Sequence, residues 1–228
     1  MKFAYLGYRN WSEKILNNLT KEGWDIDKFT PSNNEYKSPG KIISPKKIQD
    51  LDFSDYKSLF FYGWSWIIPE KIINENECVC LHPSPLPKYR GGSPLQHQII
   101  NGEDYGAVSL FKMDSGLDTG PIYYQEKISL KGNLENIFGE IIKVGTRITN
   151  DLLIDFKNND VNTYVQDESQ ATTYIRRKPE ESELTYEKMK NMNSRQLNDF
   201  IRALQDPYPT PFVTCNDGKK VYLKKSDL

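Results

Sequence analysis

The sequence predicts an α/β protein: a Rossmann-like, largely parallel sheet with flanking helices, followed by a small C-terminal helix and β-hairpin extension. Three observations carry this. Continuous apolar runs such as Ser58-Leu59-Phe60-Phe61-Tyr62-Gly63 mark strands buried on both faces. Stretches of helical period lie between them, and such alternation favours parallel pairing. Near the C-terminus, Phe212-Val213-Thr214 and Val221-Tyr222-Leu223 flank Asn216-Asp217-Gly218, a hairpin turn signal. The change of pattern divides the 228 residues into a main domain over 1–180 and a short extension over 181–228.

Taken in order, Lys2 to Leu6 is the first buried strand and Gly7 ends it. Ser12 is the expected N-cap of the next helix, in which Ile15, Leu16 and Leu19 recur at helical spacing. This opening resembles a nucleotide-binding start. However, Gly7-Tyr8-Arg9-Asn10 offers one glycine where the dinucleotide fingerprint needs three, which argues against NAD. Residues 30–50, rich in Pro, Asn, Ser and Lys, read mostly as loop with a short helix from Pro45. After the strand at Ser58 to Gly63 come Cys78 to His82 as another buried strand, Pro94 to Asn101 as a helix, and Ala107 to Met113 as a strand leading to Asp114. A long helix runs from Asn133 to about Asn158, with Leu134, Ile137, Phe138, Ile141, Ile148, Leu152 and Phe156 on its apolar stripe. A solvated segment then precedes a helix expected to be capped by Ser194, carrying Leu197, Phe200, Ile201 and Leu204 and stopped by Pro207 and Pro209. A hairpin is marginal by itself and offers an unpaired edge, so a homodimer through the C-terminal hairpin is expected.

Composition narrows the function. Thirty basic residues against thirty-one acidic ones leave a formal charge of −1, which gives no general attraction for a polyanion. Nucleic acid is therefore disfavoured as a partner. The apolar runs are too short to cross a bilayer and the first residues enter a strand directly, so a soluble, cytoplasmic protein is expected, with no membrane partner. Cys78, Cys80 and Cys215 match no zinc spacing and no disulfide framework. In a strand, Cys78 and Cys80 share one face.

Chemistry concentrates in two segments. One is Cys80-Leu81-His82-Pro83-Ser84-Pro85-Leu86-Pro87-Lys88-Tyr89-Arg90-Gly91-Gly92; the other is Asp114-Ser115-Gly116-Leu117-Asp118-Thr119-Gly120-Pro121. The chain has two histidines, His82 and His97. His82 ends an apolar strand, and the three prolines after it stiffen the chain and remove backbone donors, a costly arrangement for a mere connection. In an open α/β sheet, ligands bind beyond the carboxyl ends of strands. Three unusual segments leave such ends in this reading: Tyr62 to Pro69, His82 to Gly92, and Asp114 to Pro121. Together they make a cleft able to hold a flat heterocycle against Trp64, Ile67 and Ile68. The residues alone leave two readings open. Either His82 and Asp118 are a proton-transfer pair, or they are a structural histidine and a turn carboxylate.

The stretch from Leu81 to Gln125 resembles the core of the formyltransferases that use N10-formyltetrahydrofolate. The likeness extends to Tyr62-Gly63 and Ile67-Ile68-Pro69, similar to the family's folate loop, and to Ile201-Arg202-Ala203-Leu204-Gln205-Asp206-Pro207-Tyr208-Pro209. It covers residues 1 to about 212 and identifies 1–180 as the catalytic domain. By this resemblance, His82 is the acid/base group and Asp118 orients it, favours its protonated form and orders water. Tyr62, Trp64, Ile67, Ile68, Asp114, Gly116 and Leu117 hold the formyl donor, largely through backbone contacts. No metal is implied. One catalytic position departs from the family: where it has asparagine, whose amide helps bind the formyl oxygen, this chain has Cys80. A thiol is a weak donor, so oxyanion stabilisation would fall by roughly 1 to 4 kcal/mol without compensation.

Members that act on initiator tRNA resemble this chain through Pro207-Tyr208-Pro209 and then continue into a further domain. Those acting on glycinamide ribonucleotide usually lack the Arg-Gly-Gly-Ser-Pro feature. The resemblance is best to members that formylate nucleotide-linked amino sugars for surface polysaccharides such as the lipopolysaccharide O-antigen. For a nucleotide sugar, Arg9, Lys88, Arg90 and Arg202 are the expected cations, with Arg176 and Arg177 as further candidates, and Trp11 or Tyr208 as the stacking surface. The alternatives are an impaired folate or nucleotide-sugar binding protein, because of Cys80, and a formyltetrahydrofolate hydrolase.

Overall fold

Alternating side chains of the central strands feed two separate apolar layers. The computed structural model describes residues 1–31 and 40–226. In chain order its elements are β1 (Phe3–Gly7), α1 (Asn10–Lys21), β2 (Ile26–Pro31), β3 (Lys41–Ile43), a 3-10 turn at Pro45–Asp50, β4 (Leu59–Tyr62), α2 (Glu70–Glu75), β5 (Cys78–His82), β6 (Arg90–Gly91), α3 (Pro94–Ile100), β7 (Tyr105–Lys112), β8 (Ile122–Ser129), α4 (Leu134–Asn158), β9 (Thr173–Tyr174), α5 (Tyr186–Lys190), α6 (Ser194–Ala203), β10 (Phe212–Thr214) and β11 (Lys220–Tyr222). Seven strands form one sheet in the order β3-β2-β1-β4-β5-β7-β8. The first five run parallel, while β7 and β8 are antiparallel to their neighbours. This is the α/β architecture the sequence predicts, with the helix and hairpin at its C-terminal end.

On one face, Phe3, Tyr5, Phe60, Tyr62, Val79 and Leu81 pack beneath α1, α3, α4 and α6. On the other, Ala4, Leu6, Leu59, Phe61 and Cys78 meet Ile48 and Ile72, the latter on α2. The strands β1 and β4 are buried at every position, which is why they read as unbroken apolar runs. Helix α4 is held against α1 by a close approach at Gly145: a Cβ there would lie 2.7 Å from Ile15 Cδ1 and 3.0 Å from Leu81 Cδ1.

Several expectations are corrected. Ser12 does not cap α1, which begins at Asn10 behind Arg9. Ser12 is buried within the helix, where its hydroxyl bonds the Tyr5 hydroxyl at 2.6 Å and donates to the Arg9 carbonyl at 2.9 Å. The cap of α6 is Asn193, in a reciprocal box with Gln196, and Ser194 is the first helical residue. The expected loop over 30–50 contains the end of β2 and all of β3, besides the 3-10 turn; its central part, 32–39, lies outside the described residues. The strand signal there is weak because β2 and β3 lie toward the sheet margin, where Phe29 and Ile43 are the buried apolar side chains and other positions carry the Lys28–Glu13 and Lys41–Asp27 ion pairs. The opposite edge strand, β8, escaped notice for the same reason.

The hairpin β10–β11 pairs Phe212 with Tyr222, and Phe212 is buried. Leu184 donates to the Phe212 carbonyl at 2.7 Å, tying the hairpin to the body. Val221 and Tyr222 are exposed. Among the described residues no helix is long and apolar enough to cross a membrane.

The close approach at Gly145 has a measurable cost when filled. Gly145→Ala is expected to destabilise the protein by about 1–3 kcal/mol through overpacking against Ile15 and Leu81, despite alanine's better helix propensity. Urea unfolding with an unchanged slope and a lowered midpoint is the expected result.

Candidate active site

The strand β5 places Cys78, Cys80 and His82 on one face of the sheet, because side chains alternate along a strand. His82 is 6% exposed. Its Nε2 lies 2.8 Å from the Tyr89 carbonyl oxygen. A carbonyl only accepts, so Nε2 carries the hydrogen and the neutral ring leaves Nδ1 bare. Nδ1 stands 3.5 Å from Asp118 Oδ2. The same Oδ2 accepts from the Gly91 backbone N–H at 2.7 Å, which fixes the carboxylate's rotamer. A proton arriving on Nδ1 thus meets a held negative charge.

The route by which Asp118 arrives differs from expectation. Strand β7 is antiparallel to β5, with Lys112 beside Val79 and Ser109 beside His82. The Asp114 loop therefore leaves the opposite end of the sheet from the other two loops. It folds back along the face of β5 to bring Asp118 to His82. Three non-glycine residues near this junction have positive φ: Tyr89 (61°), Ser93 (56°) and Asp118 (56°). Left-handed backbone at a non-glycine residue costs roughly 1–2 kcal/mol, and such strain collects at functional sites. Two glycines make the fit possible. A Cβ at Gly91 would collide with the Tyr174 carbonyl, and one at Gly92 with the Arg176 backbone.

Cys80 packs against Leu86, Phe111 and Ile122, between the strand start and His82. Burial pushes its thiol pKa well up, and the Asp118 carboxylate adds to the effect. Cys80 is therefore a protonated thiol at neutral pH. Cys78 is pushed up to about 12, first by burial and then by Glu77.

The residues expected to hold the donor separate into two groups. Trp64 leans on Phe61 and Trp66, with ring centroids 6.2 and 5.1 Å away, and its indole N–H is buried without an acceptor among the described residues. Ile67 is 95% exposed and Leu117 58% exposed, while Ile68 is buried. Asp114 Oδ1 accepts from the Gly116 N–H and the Thr119 hydroxyl, so its carboxylate holds its own turn. The Tyr62 side chain lies in the opposite core and bonds the Thr149 hydroxyl at 2.8 Å, so only its backbone faces the loops.

The expected acceptor cations also divide. Arg90 is buried and committed, donating to Gln166 Oε1 and to both oxygens of Glu168. Arg202 is committed to Asp199 and to the Leu130 and Gly132 carbonyls. Neither guanidinium is free for a diphosphate. Arg177 donates to the Glu181 carbonyl. Lys88 is exposed in a groove of about 320 Å³ with Pro85, Glu103 and Tyr105. Arg9 makes no ion pair among the described residues: it reaches the Ser65 hydroxyl at 3.3 Å and lies 4.7 Å from the Tyr8 ring centre. Its charge acts on Tyr208, whose hydroxyl pKa is raised by burial. Trp11 and Tyr208 both pack, part-buried, on the larger core.

Sequence reasoning missed the segment from Tyr164 to Tyr174. Its composition reads as solvated, yet Ile122 and Tyr164 exchange backbone hydrogen bonds, and β9 pairs with β6 in the segment that follows His82. Gln166 is 5% exposed. An isolated glutamine in a polar stretch carries no periodic signal.

A histidine held between a carbonyl and a carboxylate, at the carboxyl edge of a parallel sheet, is an arrangement suited to group transfer. The family is reached by comparison. Residues 55–136 match the Formyl transferase family. Over its full length the chain is 31% identical to the methionyl-tRNA formyltransferase of Lachnospira eligens, of which it covers 79%. The chain belongs to the formyl transferase family and is an N-formyltransferase. In structure it is similar to a sugar N-formyltransferase from a Shewanella species, with TM-score 0.80 and 18% identity over 99% of this chain and 97% of that one. It is also similar to HypX from Aquifex aeolicus in complex with tetrahydrofolic acid, with TM-score 0.80 and 17% identity over 99% of this chain and 37% of that one.

The thiol environments predict a labelling order. At about pH 8 only a thiolate reacts quickly, and a raised pKa keeps Cys78 and Cys80 protonated there. Intact mass measurement is expected to show one rapid alkylation, at exposed Cys215, with the other two following only on unfolding. Rapid labelling of Cys80 in the native protein would contradict its assigned state.

Proposed function

We propose that the protein transfers a formyl group from N10-formyltetrahydrofolate to the amine of a nucleotide-linked amino sugar. The observation that carries the reaction is the His82–Asp118 pair at 3.5 Å, with His82 Nε2 tied to Tyr89 and Nδ1 left to exchange a proton. N10-formyltetrahydrofolate, when bound, supplies the carbonyl carbon that the acceptor amine attacks. The unsatisfied Trp64 N–H and the exposed apolar surfaces of Ile67 and Leu117 fit a flat, acceptor-rich ring system.

His82 Nδ1 takes the proton the amine must lose as the new C–N bond forms. The resulting imidazolium is stabilised by the Asp118 carboxylate and becomes a donor for the oxygen on which charge develops. The same proton can then return to the departing nitrogen. Cys80 replaces the family's asparagine beside this oxygen and contributes at most a weak S–H donor. Protonated His82 thus carries most of the oxyanion stabilisation.

For the acceptor, a near-neutral chain offers no broad attraction for RNA, whereas a nucleotide sugar needs only a local cation. Arg9, with Trp11 and Tyr208 packed on the larger core, and the exposed Lys88 are the remaining candidates for the diphosphate and base. We place the protein accordingly in surface polysaccharide biosynthesis, as a soluble cytoplasmic enzyme that dimerises through the exposed Val221 and Tyr222 of the hairpin. The identity to methionyl-tRNA formyltransferase favours a second reading, in which the acceptor is methionyl-tRNA.

Parallel incubations of the protein and formyl donor with a panel of nucleotide-linked amino sugars, with methionyl-tRNA and with no acceptor, followed by product mass, decide between them. Formylation of a nucleotide sugar is expected. Formylation of methionyl-tRNA alone would establish the second reading, and formate release without any acceptor would show a hydrolase. In the same assay His82→Ala should lower kcat by about 10²- to 10⁴-fold, the usual contribution of positioned acid–base catalysis. Cys80→Asn should preserve or raise kcat; a fall would show that the thiol has a role of its own.

A further inference from the structure

We propose that Gln166 is a positioning residue for the acid/base pair, setting the Asp118 carboxylate through the backbone of its loop. The proposal rests on the formyl-transfer reading of His82 and Asp118. The buried Gln166 amide is used to capacity. Its Oε1 accepts from Arg90 Nε at 3.2 Å and from Arg90 Nη2 at 2.8 Å. Its Nε2 donates to the Asp118 carbonyl at 2.9 Å and to the Gly120 carbonyl at 2.7 Å.

This pattern admits one orientation. Flipping the amide would set its N–H groups against a guanidinium and its oxygen against two carbonyls. Both ends of the arrangement are themselves anchored. Arg90 forks onto Glu168 at 2.6 and 2.9 Å, and its backbone N–H reaches the Thr172 carbonyl at 2.9 Å. On the other side, Tyr164 exchanges backbone hydrogen bonds with Ile122, just beyond the Asp118 loop.

The two carbonyls that Gln166 grips are that of Asp118 itself, whose φ is 56°, and that of Gly120 two residues on. Holding both fixes the direction in which the Asp118 side chain leaves the chain. That direction brings Oδ2 to the Gly91 N–H at 2.7 Å and within 3.5 Å of His82 Nδ1. Arg90 and Gly91 are consecutive, so one short strand carries both the cation that orients the amide and the N–H that receives the carboxylate.

Gln166→Glu tests this, because it keeps an acceptor for Arg90 and removes both donors. The expected result is a fall in kcat of roughly tenfold to a hundredfold, as small misplacements of reacting groups produce, with KM for donor and acceptor within about twofold of native. His82 and His97 are the only histidines, so their ring Cε1–H resonances can be followed individually by NMR. In Gln166→Glu the His82 resonance should move in the direction it moves in Asp118→Asn, while that of His97 stays. Glu168→Ala, at a side chain 67% exposed, leaves Gln166 in place and should move the His82 resonance less, in the same direction, with the unmoved His97 resonance checking that the fold is kept. A His82 resonance unmoved in both variants, or a loss of turnover expressed wholly in KM, overturns the proposal. Should Asp118→Asn keep full turnover, the formyl-transfer role of the pair fails, and the resonances still decide whether Gln166 sets the carboxylate.

Discussion

The hydrogen bond from the Gly91 N–H to the Asp118 carboxylate joins two loops that start from opposite ends of the sheet. Strand reversal at β7 sends the Asp114 loop away from the edge where His82 ends its strand. Without a tether, a flexible loop would hold Asp118 near His82 for only part of the time, and the pair would lose its geometry. The tether is a backbone donor, which cannot rotate away, meeting a charged acceptor, and such bonds are about twice as strong as neutral ones. Left-handed backbone at Tyr89, Ser93 and Asp118 is the conformational cost of bringing the loops together.

The site's electrostatics follow from this meeting point. A single carboxylate faces the histidine that is to become positive and the thiol that is to stay neutral. Toward His82 its charge is compensating, because Nδ1 lies within reach. Toward Cys80 it is repulsive, and with burial it suppresses the thiolate. Cys80 therefore lies two residues from His82 without the reactivity of an exposed cysteine.

What could be read from the sequence was set by burial. Strands β1, β4 and β5 are covered on both faces, so their composition announces them. The helix α4 keeps its stripe for twenty-five residues and could not be missed. Strands β2, β3 and β8 lie at or next to a sheet margin, where ion pairs and half-exposed side chains erase the period. His82 and Asp118 were legible because prolines and glycines around them are expensive and specific. Arg90 and Arg202 show the converse: a signature arginine reads as facing a ligand, whereas in the fold both guanidiniums bond the protein's own carbonyls and carboxylates. Gln166 had no local signal, since its role depends on three segments that meet only in the folded chain.

The ribbon formed by β6 and β9 gives the sheet and the site different extents along the chain. All seven strands of the main sheet, with both His82 and Asp118, lie before the end of α4. Yet Tyr174 and Arg176 close over Gly91 and Gly92, and Gln166 lies against the Asp118 turn. A fragment cut at the end of α4 would retain a nearly complete architecture and both reactive side chains, but with one wall of the site missing. The boundary at which this protein could be recombined with another is therefore drawn by chemistry, beyond the point at which the main sheet is complete.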